Sequence, residues 1–318
     1  MFQLTRRQLL LAAGAATAVP AHAADQPIRI TVGFPPGGTT DVIARLVATS
    51  LGQRLGRSVI VENRPGASGN IAAQTIARAA PDGTNLLFVA SSHATNASLY
   101  KKLPFDTEKD FAAIGMVATT PYVLVVHPRL PVKSVAEFIA LLKSQPGHFQ
   151  YATASQGTGQ HLAAELFKKM AGVEMTQIPY KGSAAAFPDL MAGRTPIMFD
   201  NVALMVPHVR SGALRALAIT STRRSPLLPE LPTVAETLPG YEIQGWFALL
   251  APAKTPPSLI RDCNAALNAV VNEPAFTTRL SDLGAETMTG TPAMADAYIN
   301  KEIARWGTVI RAANISLD

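Results

Sequence analysis

Phe34-Pro35-Pro36-Gly37-Gly38-Thr39-Thr40-Asp41 is the stretch that decides the fold class. Before it comes an apolar segment, Ile28 to Val32, broken only by Arg29 and Thr31 and predicted as a strand. After it, Val42, Ile43, Leu46, Val47, Leu51 and Leu55 recur at helical spacing, and Gly56 stands where a helix C-terminus wants glycine. A glycine pair at such a strand-to-helix turn lets backbone N–H groups approach a ligand closely. The helix N-terminus behind it adds partial positive charge, so the turn suits a carboxylate or another anion. A purely structural role is the alternative: a tight turn with Thr39 or Thr40 as N-cap and Asp41 complementing the helix dipole. No GxGxxG occurs here, which counts against a dinucleotide site.

Outward from this turn the chain alternates strands and helices. Val59-Ile60-Val61 predicts a second strand, a helix follows through Ile76, and Pro81-Asp82-Gly83 turns the chain into a third strand, Leu86 to Val89. That order predicts a parallel sheet with right-handed crossovers. A second α/β unit is predicted after Thr119-Thr120-Pro121, with strands at Tyr122 to Val126, Phe149 to Thr153, Ile178, Ile197 to Phe199 and Leu214 to Ile219. Helices are expected at Val135 to Leu142, from the Gly157 turn through Met170, and at Phe187 to Met191. Trp246 to Leu250 is again strand-like, and the C-terminal part is helical with a break at Pro274. Two units joined by two extended segments, Ala118 to Pro128 and Ile243 to Pro252, imply a cleft between lobes.

The chain has 318 residues and a formal net charge of +6. Thr5-Arg6-Arg7 followed by an apolar run from Leu9 to Val19 and by Ala21-His22-Ala23 is the pattern of a cleaved signal peptide over residues 1–23. The Arg6-Arg7 pair fits a twin-arginine route or the general secretory one. The basic residues elsewhere are scattered, which speaks against nucleic acid. Cys263 is the single cysteine, so no intrachain disulfide or cysteine-rich metal site can form; its helical neighbourhood suggests a buried small hydrophobe.

A second glycine turn, Gly157-Thr158-Gly159-Gln160-His161, also follows a strand and opens a helix. Alone it is a weak signal; two helix N-termini facing one cleft can hold both ends of a short anion. Ser91, Ser92 and Asn96 follow the third strand, and Thr153 and Asp200 end strands of the second unit. Carboxyl ends of strands line the crevice of an open α/β sheet, so these residues are candidates for ligand contact or for helix capping. Tyr180 precedes the Lys181-Gly182-Ser183 turn and joins them. Catalytic patterns are scarce: no GxSxG, no HExxH and no EF-hand loop are present. The expectation is therefore neither an enzyme nor a metal or cofactor protein.

Five stretches in order resemble one known family: Phe34 to Asp41, Val61-Glu62-Asn63-Arg64-Pro65-Gly66-Ala67, Leu103 to Phe111, Pro179-Tyr180-Lys181-Gly182, and Gly193 with Met198-Phe199-Asp200. The chain resembles the Bug-type, or TctC-type, extracytoplasmic solute receptors of tripartite tricarboxylate transporters. That resemblance implies a two-lobe type II periplasmic-binding-protein fold. It also implies a small carboxylated or amidated solute held by backbone groups and ordered water at the two glycine turns. Gln160 departs from the small residues common at its position in relatives, so ligand identity does not transfer.

The expected ligand-binding set is Phe34, Pro36, Gly37, Gly38, Thr39, Thr40, Ser91, Ser92, Asn96, Thr153, Gly157, Thr158, Gly159, Gln160, Tyr180 and Asp200. Lobe 1 is expected over residues 24–122 and 248–318, and lobe 2 over 123–247. A periplasmic monomer that closes on a carboxylate and meets a membrane permease is the leading expectation. A sensory receptor and an exported hydrolase or lyase of small acids stand as alternatives.

Overall fold

A computed structural model describes residues 26–312 and residue 316. The signal peptide expected at residues 1–23 lies outside them. In chain order the elements are β1 (Ile28–Val32), α1 (Thr39–Leu55), β2 (Val59–Asn63), α2 (Asn70–Ala77), β3 (Asn85–Ala90), α3 (Ser92–Leu99) and β4 (Phe111–Val126). Then come α4 (Val135–Ser144), β5 (Gln150–Thr153), α5 (Gly159–Ala171), β6 (Thr176–Pro179), α6 (Ser183–Met191), β7 (Ile197–Asn201), α7 (Val202–Arg210) and β8 (Arg215–Ile219). The chain finishes with β9 (Gln244–Pro252), α8 (Pro257–Val271), α9 (Pro274–Asp282), β10 (Glu286–Thr287) and α10 (Pro292–Ala312).

The first three strands run parallel in the order β2-β1-β3, as the strand–helix alternation predicts. Strand β9 then adds antiparallel to β3, and β4 antiparallel to β9. Beyond Pro121 the same β4 leaves β9 and pairs with β7 and β8, while β5 and β6 extend the second lobe in parallel. One strand thus serves both lobes. The expected extended crossing at Ala118 to Pro128 overlaps this strand, and the second unit expected after Thr119-Thr120-Pro121 starts within β4 rather than after a break in it. Pro121 sits at the changeover, opposite Gln244, where a residue without an N–H is tolerated because the ladder is switching partners.

Each lobe buries apolar side chains on both faces of its sheet, the burial that continuous apolar strands require. In the first, Ile30, Val32 and Phe88 pack with Ile43, Val47 and Leu51 of α1, and Trp246 and Leu250 pack with Ile76 and Ile299 on the other side. In the second, Tyr151 and Phe199 pack with Phe138 and Phe167, and Val123 and Met198 with Met205 and Leu190. Trp306 and Ile310 of α10 enter the core that holds Phe167. Two elements escape the sequence pattern. Helix α7 carries Pro207 in its interior, and β10 is two residues long and pairs with β4. Cys263 is half-buried against the first core rather than enclosed, and burial raises its thiol pKa. Among the described residues no helix is long and apolar enough to cross a membrane.

Candidate functional site

The turn after β1 is organised from behind. Asp41, buried in the first turn of α1, accepts hydrogen bonds from Gly37 N (3.0 Å), Arg45 Nε (3.0 Å) and Asn63 Nδ2 (2.8 Å). Burial alone would raise its pKa, but the bonds from Arg45, Gly37 and Asn63 outweigh that and hold the carboxyl below its ordinary range. Asn63 also donates to Phe34 O, which fastens the turn to the end of β2. The Gly37 N–H is therefore consumed internally and is not free for a ligand. Gly37 adopts φ +84°, a conformation that glycine enters without strain.

The N-cap of α1 is Gly38, not Thr39 or Thr40, and no side chain caps this helix. The first N–H groups of a helix have no partner within it, so those of Thr39 and Thr40 are left to the adjoining cavity. Thr39 Oγ1 is likewise buried without a hydrogen-bond partner among the described residues.

Across the cleft, α5 starts at Gly159 rather than at Gly157, with Thr158 as N-cap accepting from His161 N. His161 Nδ1 in turn accepts from Gly157 N (3.2 Å). Burial drives the His161 pKa down to about 4, so the ring is a neutral acceptor. Gln160 donates Nε2 to Asp200 Oδ1 (3.0 Å), which also accepts from Asn201 N (2.7 Å). Burial raises the Asp200 pKa, opposed by bonds from Ser183, Gln160 and Asn201.

The two turns face a cavity of about 140 Å³. Among the described residues, the first residues of four helices, Thr39, Ser92, Gly159 and Ser183, and the N-cap of a fifth, Asn201, lie in its lining, so helix starts with their partial positive charge surround it. Phe34, Phe187, Leu204, Trp246 and Phe247 supply apolar surface. Lys181, exposed, is the one charged side chain in the lining among the described residues. Tyr122, on the strand shared by both lobes, is buried between Ser91, Gly159 and Gly245, and its hydroxyl lies 3.5 Å from Ser91 Oγ. A Cβ at Gly159 would fall 2.0 Å from that hydroxyl, so only glycine lets α5 approach so closely.

Eleven of the sixteen expected residues line the cavity: Phe34, Pro36, Gly37, Gly38, Thr39, Thr40, Ser91, Ser92, Thr158, Gly159 and Gln160. Five do not. Asn96 is turned away, donating to Ser68 O (3.1 Å) and Asn70 Oδ1 (2.7 Å). Thr153 is fully buried and accepts from Gln177 Nε2 (2.8 Å). Gly157 has its N–H on His161 and its carbonyl on Thr95 Oγ1 (2.7 Å). Tyr180 donates to Asp189 (2.6 Å), and Asp200 lies behind Gln160 and Asn201. The hydrogen bonds these residues make go to neighbours rather than to the cleft, and Asn96 Oδ1 is buried without a partner among the described residues. Tyr122, Gly245, Trp246 and Phe247 join the lining from segments that carry no local binding signature, and Asn201 joins it from the strand end that also holds Asp200. Their only sequence cue is that Tyr122, Gly245, Trp246 and Phe247 lie in the two predicted crossing segments. Among the described residues no His, Cys, Asp and Glu cluster could hold a metal.

The lobes also touch beside the cavity. Ser68, in a left-handed conformation (φ +54°) rare for a side-chain-bearing residue, donates to Gln156 O and lies 3.2 Å from Ser155 Oγ. With the Thr95 bond to Gly157 O, these tie one glycine turn to the opposite lobe.

Residues 43–315 match the profile described as "Tripartite tricarboxylate transporter family receptor". The protein BugT of Bordetella pertussis is 38% identical over 295 residues, covering 92% of this chain and 90% of BugT. The solved structure titled R. palustris Rpa4515 with adipate is 38% identical with a TM-score of 0.88, covering 93% of this chain and 99% of its own. MatC (Rpa3494) from Rhodopseudomonas palustris with bound malate is 31% identical with a TM-score of 0.84, covering 90% and 99%.

Proposed function

Since this chain belongs to the tripartite tricarboxylate transporter receptor family, we propose that it captures a small carboxylate in the periplasm and delivers it to a membrane permease. One observation carries the ligand class: the uncapped start of α1, with a buried unpartnered Thr39 hydroxyl, faces a second helix start across a small cavity. An anion there meets N–H donors from both lobes. Charge-assisted hydrogen bonds of this kind contribute on the order of 1.5–3 kcal/mol each, which offsets carboxylate desolvation without a buried cation. The apolar side chains around the cavity suit the carbon chain of such a solute. Adipate and malate in the two solved relatives support the same class.

Capture proceeds by hinge closure. Lobe 1, residues 24–122 and 248–318, meets the carboxylate first at Gly38 to Thr40. The lobes then rotate about the changeover in β4 at Pro121 and the chain that enters β9 opposite it at Gln244, bringing Thr158 to Gln160 onto the other side. The Ser68 and Thr95 bonds form as the cleft shuts. The export signal at residues 1–23 accounts for the periplasmic location.

The solute leaves unchanged. His161 is spent on the Gly157 N–H and held neutral, and among the described residues no histidine lines the cavity to serve as a base for Ser91 or Ser92. Native mass spectrometry of the purified protein, followed by titration calorimetry with a carboxylate panel, tests this. Stoichiometric binding of an unaltered carboxylate is expected. Failure of every carboxylate to bind, or recovery of a converted product, would overturn it.

A further inference from the structure

Asn201 and Gln160 give the second-lobe wall a polarity that the helix starts do not. Asn201 is more than nine-tenths buried, lines the cavity and sits at the N-cap of α7, yet its side chain caps nothing. Its Nδ2 is turned toward Asp200 Oδ1 (3.4 Å), and its Oδ1 is buried with no partner among the described residues. Gln160 is held the same way, with Nε2 on the same Asp200 oxygen. That oxygen already accepts the Asn201 N–H, so it acts as an acceptor whether the carboxyl is charged or neutral. Reversing either amide would set oxygen against oxygen. The orientation of both amides is thus set by Asp200, and each turns its carbonyl end away from it.

An unpaired buried carbonyl is costly, and a second carboxylate brought against it would add acceptor to acceptor. A ligand N–H or O–H would relieve it. We infer that Asn201, with Gln160 beside it, selects a carboxylate whose far end donates a hydrogen bond, such as an amide, over the dicarboxylate of equal length. This rests on the carboxylate-receptor reading above and names the solute's other end. Lys181 is the group that works the other way: exposed at the cavity, its ammonium offers a second carboxylate a water-screened partner rather than a buried one.

Calorimetry on the full mature protein at neutral pH decides between them. The ligands are the straight-chain dicarboxylates from malonate to suberate, each compared with its own monoamide. For the best-fitting length, the monoamide is expected to bind about tenfold more tightly or better, the scale of one satisfied buried hydrogen bond. Asn201→Ala should remove most of that preference with little change in its thermal melt, because the side chain caps no helix and its one bond among the described residues, to Asp200 Oδ1, is long at 3.4 Å. Equal or tighter binding of the dicarboxylates would overturn the inference while leaving the receptor function intact. A preference that survives Asn201→Ala would also overturn it. Failure of every acid and monoamide to bind would instead remove the carboxylate reading itself.

Discussion

The two glycine turns that face each other across the cleft are built on one plan with different chemistry. In each, a glycine with positive φ, Gly37 or Gly157, gives its N–H to the side chain four residues on, Asp41 or His161. In the first lobe the acceptor is an ionised carboxylate, which needs Arg45 and Asn63 as partners and keeps Gly38 to Thr40 free of any side-chain cap. In the second it is an imidazole kept neutral by burial, and a threonine cap is added. Both devices close the turn from behind and spend the glycine N–H in doing so. What remains for an anion is the start of each helix, not the glycine that makes the turn possible. The charged device should be insensitive to mild acid, while the neutral one should fail as its ring takes a proton.

The largest expected effect breaks the second turn. Gly159→Ala places a methyl against the buried Tyr122 hydroxyl, which is hemmed in by Ser91 and Gly245, and overpacking of this kind costs about 2–3 kcal/mol. Denaturant unfolding should show that loss together with lost ligand binding; an unchanged midpoint would mean Tyr122 moves aside freely. On the first turn, Gly38→Val should leave stability unaltered, because a Cβ there meets only Pro35 O at 3.9 Å and the backbone (φ −79°, ψ 164°) suits any residue. Its side chain would nonetheless crowd the Thr39 and Thr40 N–H groups, so affinity should fall roughly a hundredfold, or about 2.7 kcal/mol. Wild-type affinity in that variant would dismiss this turn as the anion site.

Acid separates the two devices more gently. His93 and His161 bind a proton near their ordinary 6.5 when unfolded and only near 4 in the fold, both because burial disfavours the charged ring. Between those values the unfolded chain holds more protons, so stability is full above the higher value and declines as pH falls toward the lower one. At about pH 5 the loss should approach roughly 2 kcal/mol for each histidine. His161→Asn, which retains an acceptor for Gly157 N, should shrink the decline by about half; a melting profile as steep as wild type would refute the assignment. The smallest effect lies at the lobe contact. Ser68→Ala removes the hydrogen bond to Gln156 O, worth about 1 kcal/mol, and should weaken binding about fivefold through faster dissociation. An unchanged dissociation rate would show that this contact forms without holding the cleft shut.

Much of the scaffold was legible because its signals are local. The strand at Ile28 to Val32, the helix ending at Gly56 and the break at Pro274 follow from periodicity and from glycine and proline chemistry, and all appear where expected. Strand β4 was read only in part, from Tyr122 to Val126 within an extended segment from Ala118, since Pro121 argues against a continuous ladder until its partners on each side are known. Helix α7 was missed because Pro207 argues against it; the residues around it are nonetheless buried in a core that repays the lost hydrogen bond. The site divided the same way. Most residues expected on the two turns line the cavity, whereas Asn96, Thr153, Gly157, Tyr180 and Asp200 make their hydrogen bonds to neighbours instead.

By itself the sequence determined the alternation of elements, the two glycine turns and the family, since each depends on residues adjacent in the chain or on motifs in order. Only the tertiary structure decided which N–H groups stay free, which side chains stand behind the wall, and that Tyr122, Trp246 and Asn201 meet in one cavity. Those outcomes depend on partners brought from distant segments: Asn63 onto Asp41, and Asp200 onto Gln160. A hydrogen-bonding group has few partners to give, and its availability to a ligand is set by what packing has already claimed.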